Sequence, residues 1–296
     1  MSKTSTETER SRPTRGRVLL VVLANLFAVV VAVVVSTIAP RALRSSEGAA
    51  EIVRSGLVVG VHAALLLLAV RLGKLDRVRV GLAFSRGDLR GLAAGATLAV
   101  ATVIATFAIA GALGKIHVSV APRAEWPTKA MLGGKLFGTT VRSAFEEIAF
   151  RAGLVGVLGL AFRRGVSLGV PALLFGLAHA GNQGATPVAV ANTAIAAVVL
   201  GGLFLLGRGG APSLAACTAF HATWNFAIGS VLGGAVSGGA GATRLFTCVI
   251  DSPTWSGGAY GIEASPATTL VYGALAAWVL LRLSRRISPE AARAEG

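Results

Sequence analysis

The amino-acid sequence predicts an all-α, polytopic membrane protein of about eight transmembrane helices that enclose a polar cavity within the bilayer. Three observations predict it. First, 54% of its 296 residues are hydrophobic and only 14% are charged, where a soluble domain carries about 25% charged residues. Second, the mean hydropathy is +0.71. Third, apolar runs such as Val18–Ala39, Ile52–Val70 and Leu89–Leu113 reach the length of about 20 residues that a helical span needs. None shows the strict alternation of a barrel strand.

The elements follow in order. Residues 1–17 are polar and are expected to form a disordered cytoplasmic tail. Helices are predicted over about Val18–Ala39, Ile52–Leu72, Leu89–Leu113, Ala130–Phe162, Val166–Ala180, Pro187–Leu206, from Pro212 to Leu232, and Ala267–Leu283. The Gly-rich stretch between the last two reads as a partly ordered loop. The first run is too long for a signal-peptide core, and Ile38-Ala39-Pro40 is a poor cleavage site, so it reads as a retained helix. By organisation, 18–129 forms an N-terminal group of three helices, 130–285 a core with the polar motifs, and 286–296 a cytoplasmic tail. There is no internal repeat.

The net charge of +15 does not point to nucleic acid, because the basic residues form short clusters between apolar runs. With the N-terminus inside, the cytoplasmic side receives Lys3, Arg10, Arg12, Arg15, Arg17, a loop of Lys74, Arg77, Arg79, Arg86 and Arg90, then Arg163, Arg164, Arg208 and the C-terminal arginines. The other side receives Arg41, Arg44, Arg54, Lys115, Arg123, Lys129, Lys135 and Arg244, roughly half as many, as the positive-inside rule requires. An even number of spans returns the C-terminus to the cytoplasm. Trp126 suits an interfacial anchor. Cys217 and Cys248 have neither a metal-site spacing nor a disulfide pattern. The 38 glycines suit helices that approach backbone to backbone.

The chemistry lies in three polar groupings at membrane depth. The fourth predicted helix carries Glu146, Glu147 and Arg151, with Arg142 one turn earlier. Each such group costs about 2.5–3.5 kcal/mol on insertion scales, so it must face protein or water. Glu147 and Arg151 share a helix face, as do Arg142 and Glu146. The fifth helix ends in Phe175-x-x-x-His179, and the seventh carries His221-x-x-x-Asn225. Each grouping alone is compatible with a packing role. Together they supply a carboxylate that, with a histidine, can take a proton from water, and a second histidine with a carboxamide that can donate to a developing oxyanion. His62 and His117 receive no role.

At these residues the chain resembles the CAAX-protease and bacteriocin-processing (CPBP, or Abi) family of intramembrane proteases. The pattern Glu146-Glu147-x-x-x-Arg151, Phe175-x-x-x-His179, His221-x-x-x-Asn225 is the family's, in the family's order. His179-Ala180-Gly181-Asn182, Asn192-Thr193 and the run from Gly257 to Glu263 also look like bacterial members. The resemblance implies a membrane hydrolase in which Glu146 and His179 activate the attacking water, His221 and Asn225 stabilise the oxyanion, and Glu147 and Arg151 support the geometry. Its implied substrate is a peptide or membrane-protein tail, and its surroundings are membrane lipid in the cell membrane. The family is often labelled metalloprotease, and Glu146, His179 and His221 are of types that ligate zinc. The chain has no His-Glu-x-x-His helix, and Asn225 suits an oxyanion hole better than a zinc shell, so a metal-free glutamate mechanism with no cofactor is favoured. The alternative is a non-catalytic membrane partner, such as an immunity or scaffold protein. A proton-coupled transporter ranks last because the two halves show no symmetry.

Overall fold

The computed structural model describes residues 13–42, 47–207, 211–241, 243–250 and 252–286. Most of both expected tails, and Lys3, Arg10, Arg12, Arg44 and Arg208 of the charge pattern, lie outside these residues. Most of the described chain is helical: α1 Arg15–Ala42, α2 Glu47–Leu72, α3 Gly87–Ala112, α4 Lys129–Glu147, α5 Arg164–Ala178, α6 Pro187–Leu206, α7 Leu214–Phe226, the short α8 Pro253–Ser256, and α9 Pro266–Arg285. The expected all-α, polytopic membrane architecture is therefore the one observed.

Local chemistry sets the helix starts. Thr128, Thr186, Ser213 and Ser265 stand at the N-caps of α4, α6, α7 and α9, and each side-chain oxygen accepts a backbone N–H of the first turn. Pro187 and Pro266 occupy the first helical position, where no N–H is needed. Helix α1 begins at Arg15, three residues before the expected start at Val18.

Among the described residues, five helical segments are long and apolar enough to cross a membrane: Arg15–Ile38, Val53–Leu72, Gly87–Ala112, Pro187–Leu206 and Pro266–Arg285. The other three expected spans are also present as helices, but differ from simple ones. Helix α5 has 15 residues. Helices α4 and α7 both run on into π-helix, Ile148–Gly156 after α4 and Ala227–Val231 after α7. The fourth helix thus ends before Phe162 and is not one regular rod. The Gly-rich stretch is more ordered than the sequence suggests. Phe246–Ile250 forms β2, which pairs antiparallel with β1, Ile116–Val120, so that Ile116 faces Ile250 and Val120 faces Phe246. Cys248 and His117 therefore lie in strands rather than loops. The β-branched content of both segments favours a strand, but the pairing joins segments far apart in sequence and leaves no local trace.

Helix α1 packs along α2, α3 along α7, α5 along α6, α6 along α9, and α4 along both α7 and α2. Glycine permits the closest crossings. A Cβ at Gly95 of α3 would lie 2.1 Å from the Ala216 carbonyl oxygen of α7, and one at Gly176 of α5 would lie 2.8 Å from that of Val190 in α6. One apolar core joins α3, α6, α7 and α9 around Trp224, Phe204 and Tyr272, and a second joins α1, α2 and the π segment around Val18, Leu66 and Val157.

Candidate active site

Helix α4 carries Glu146 and Glu147 in its last turn, and its π continuation carries Arg151. A π segment widens the helix and re-aims side chains, and such segments recur at functional sites. Glu147 is fully buried and faces α7. Its Oε1 accepts a hydrogen bond from His221 Nδ1 at 2.8 Å, and its Oε2 lies 3.0 Å from Arg151 Nε in ion-pair contact. The expected Glu147–Arg151 pair is therefore formed, and His221 completes a triad. The Arg151 guanidinium also lies over the Phe175 ring, 4.6 Å from its centroid. A buried pair of this kind holds geometry more surely than it adds stability.

Glu146, the neighbour of Glu147, points elsewhere. Its Oε2 is buried without a hydrogen-bond partner among the described residues and lies 3.8 Å from His221 Nε2. His221 thus stands between two carboxylates, close to one and at longer range from the other. Arg142 is exposed and makes no ion pair with Glu146 among the described residues. Both line a cleft of about 660 Å³ whose walls include Thr37, Arg54, Val58 and Asn225.

His179 caps the C-terminus of α5. Its Nδ1 lies 2.7 Å from the Phe175 carbonyl oxygen. That oxygen can only accept, so Nδ1 carries the hydrogen and neutral His179 presents an Nε2 lone pair. His179 and His221 flank Phe175, with ring centroids 4.6 and 6.3 Å from it. Both histidines line a small cavity of about 30 Å³ together with Asn225, Trp224 and Glu263, room on the scale of a single water. Asn225 lines this cavity and the larger cleft alike. Glu146 and His179 are not within ion-pair distance of each other. Among the described residues, no three His, Cys, Asp or Glu side chains are grouped to hold a metal ion.

Four site-bordering residues, Asn25, His62, Glu263 and Tyr260, receive no role from the sequence. Asn25 of α1 donates from Nδ2 to the Ala149 carbonyl in the π segment at 3.1 Å, and its Oδ1 lies 3.0 Å from His62 Nε2 of α2. Both are fully buried, and the His62 ring meets Phe145 edge-on at 5.3 Å. The two motif-free N-terminal helices thus brace the helix that carries Glu146. Glu263, at the end of the Gly-rich stretch, accepts from Trp224 Nε1 at 2.9 Å, from Ser237 Oγ at 2.7 Å and from Ser237 N at 2.5 Å. It ties that stretch to α7 one residue from Asn225. Tyr260, which pairs with Thr193 at 2.8 Å, has its hydroxyl pKa raised above the usual tyrosine value mainly by burial. An asparagine, a histidine or an acid in an apolar context is a signal in itself, but nothing in the sequence tells which partners these residues meet.

Fold and site together define an all-α membrane protein with a buried glutamate–histidine–arginine cluster. The family described as type II CAAX prenyl endopeptidase, Rce1-like, matches residues 128–227. That segment runs from the cap of α4 through Asn225 and holds all three motifs, so the CAAX-protease resemblance read from the motifs stands on an independent match. No curated protein and no solved structure matches the chain.

Proposed function

We propose that this chain is an intramembrane endopeptidase that hydrolyses a peptide bond in a peptide or membrane-protein tail. The observation that carries the reading is His221 between Glu147 at 2.8 Å and Glu146 at 3.8 Å, beside the cavity it shares with His179 and Asn225. The match to an endopeptidase family supports the reaction class.

Glu146 takes a proton from a water held with the His179 Nε2 lone pair, and the resulting hydroxide attacks the scissile carbonyl. The developing oxyanion receives hydrogen bonds from the Asn225 carboxamide and from His221 Nε2–H in its imidazolium form. His221 keeps that orientation because Glu147 holds its Nδ1 and Arg151 holds Glu147. The proton then passes to the leaving amine. The large cleft that reaches Glu146 and Asn225 is the route by which an extended peptide segment enters. Its implied substrates include a prenylated CAAX segment, the substrate class that the matched family's description names. Both termini lie in the cytoplasm, on the side where Arg15, Arg17, Arg77, Arg79, Arg163 and Arg285 collect.

The test compares membrane-associated peptides from cells carrying wild-type protein with those from cells carrying Glu146→Ala or His179→Ala. Product peptides that disappear in both variants, with protein levels unchanged, support the reading. An unchanged peptide set, together with a biological effect that survives Glu146→Ala/His221→Ala, favours a non-catalytic membrane partner instead.

A further inference from the structure

A third cavity lies at the opposite end of the bundle from the Glu146 cleft. Its volume is about 390 Å³, within the range of about 300–1,000 Å³ of small-molecule sites. Four helices wall it. The first turns of α3 contribute Gly87, Gly91 and Ala94, whose small size makes the hollow, and the last turn of α6 contributes Leu203 and Leu206. Helix α7 adds Ala216, and α9 adds Trp278 and, with the residue after it, Arg282, Arg285 and Arg286. The wall is thus apolar on one side and a row of three guanidiniums on the other.

The arginines are not spread at random over the surface. Arg282 lies over the Trp278 ring, 5.7 Å from its centroid. Arg286 Nη1 reaches the Gly207 carbonyl at 3.5 Å. These contacts fix two of the three heads at the rim. The one carboxylate among the described lining residues, Asp88, is occupied within the protein: it accepts from Ser85 N at 2.5 Å and from Ser85 Oγ at 2.9 Å, and from Ser213 Oγ. Three guanidiniums against one carboxylate leave the cavity with a net charge of two positive. Guanidinium forks bind phosphate oxygens in pairs. An apolar wall beside them suits a hydrocarbon chain, and a basic hollow between membrane helices is a site for a lipid headgroup.

We propose that this cavity binds one anionic phospholipid, with the phosphate among Arg282, Arg285 and Arg286 and the upper acyl chain along Trp278, Leu203 and Ala94. The site is separate from Glu146, and the proposal does not depend on the proteolytic reading. It gives the last helix a lipid-dependent anchor against α3 and α6.

The test uses the full-length protein in detergent and native mass spectrometry with dioleoyl phosphatidylglycerol and dioleoyl phosphatidylcholine. The wild-type protein is expected to retain one phosphatidylglycerol with a preference of roughly tenfold or more over phosphatidylcholine. The variant R282Q/R285Q/R286Q is expected to lose that preference. Ala94→Trp, which fills the hollow and leaves each arginine in place, is expected to lose it as well, and it decides the matter if the triple variant does not fold. A control, R71Q/R77Q/R79Q, alters basic residues outside the cavity and keeps the preference. Equal binding of the two lipids overturns the proposal, as does equal loss in the control. Displacement of the lipid by millimolar inorganic phosphate alone overturns the lipid as occupant in favour of a free phosphate.

Discussion

Glu147 and His221 meet across the α4–α7 interface, Oε1 to Nδ1 at 2.8 Å, and Arg151 closes the contact from one turn further along the helix. Removing the shared carboxylate strands a charge. Glu147→Ala leaves the fully buried Arg151 guanidinium without its counter-ion, which costs about 3–5 kcal/mol. The expected result is a protein with a strongly lowered unfolding temperature in detergent. Glu146→Ala, at a partly exposed carboxylate lining the cleft, is expected to change stability by less than about 1 kcal/mol while removing activity. A calorimetric or fluorescence melt of both variants separates the two glutamates, which are adjacent in sequence but unlike in role.

The brace between α1, α2 and the π segment gives a second prediction. Asn25→Ala deletes both the donor to the Ala149 carbonyl and the partner of His62. Leaving those buried groups unsatisfied costs about 1–3 kcal/mol, read as a lower melting temperature. Asn25→Leu is no remedy, because it fills the space but restores neither hydrogen bond.

Close packing at glycine gives a third. Gly176→Leu would push a side chain into the Val190 backbone of α6 and displace the turn that holds His179. The expected outcome is loss of monodisperse protein on size-exclusion chromatography, or a folded protein without activity. Gly133→Ala, at a position with nothing within 4 Å, is the matched control and is expected to be silent.

Thiol chemistry reports on the β1–β2 ribbon. Burial pushes the Cys248 thiol up to about 11. A raised thiol pKa means the protonated form persists through neutral pH, and only the thiolate reacts. Alkylation of the folded protein is therefore expected to be negligible at pH 7 and to accelerate as pH rises toward 11. Cys217 is fully buried and is expected to stay unlabelled until the protein is denatured. Rapid labelling of Cys248 at pH 7 would show the ribbon to be open.

Much of the bundle was legible from hydropathy because apolar run length is a local property. Pro187 and Leu206 bound α6 as expected, since a proline start and a glycine stop are written in the chain. The motif residues were legible because a charge or imidazole at membrane depth demands an explanation. The π segments were not, because Ile148–Gly156 reads as an ordinary helix, and the contacts of Arg151 with Glu147 and Phe175 that accompany it form only in the fold. Nor was the Asn25–His62–Ala149 network, whose members lie far apart in sequence and meet only once the helices pack. The Gly-rich stretch read as a loop because glycine hides pairing. It is held by Glu263, which binds Ser237 and Trp224 at a distance no window of sequence spans.

The most direct test of Glu146 and His179 as the water-activating pair is single-turnover hydrolysis in H₂¹⁸O, by protein reconstituted in liposomes, of a substrate found from the peptide comparison. The wild-type product is expected to carry one ¹⁸O in its new carboxylate. Glu146→Gln and His179→Ala are each expected to slow its formation by about 100-fold or more with melting temperatures close to wild type. Wild-type rates of ¹⁸O incorporation in both variants would contradict the account.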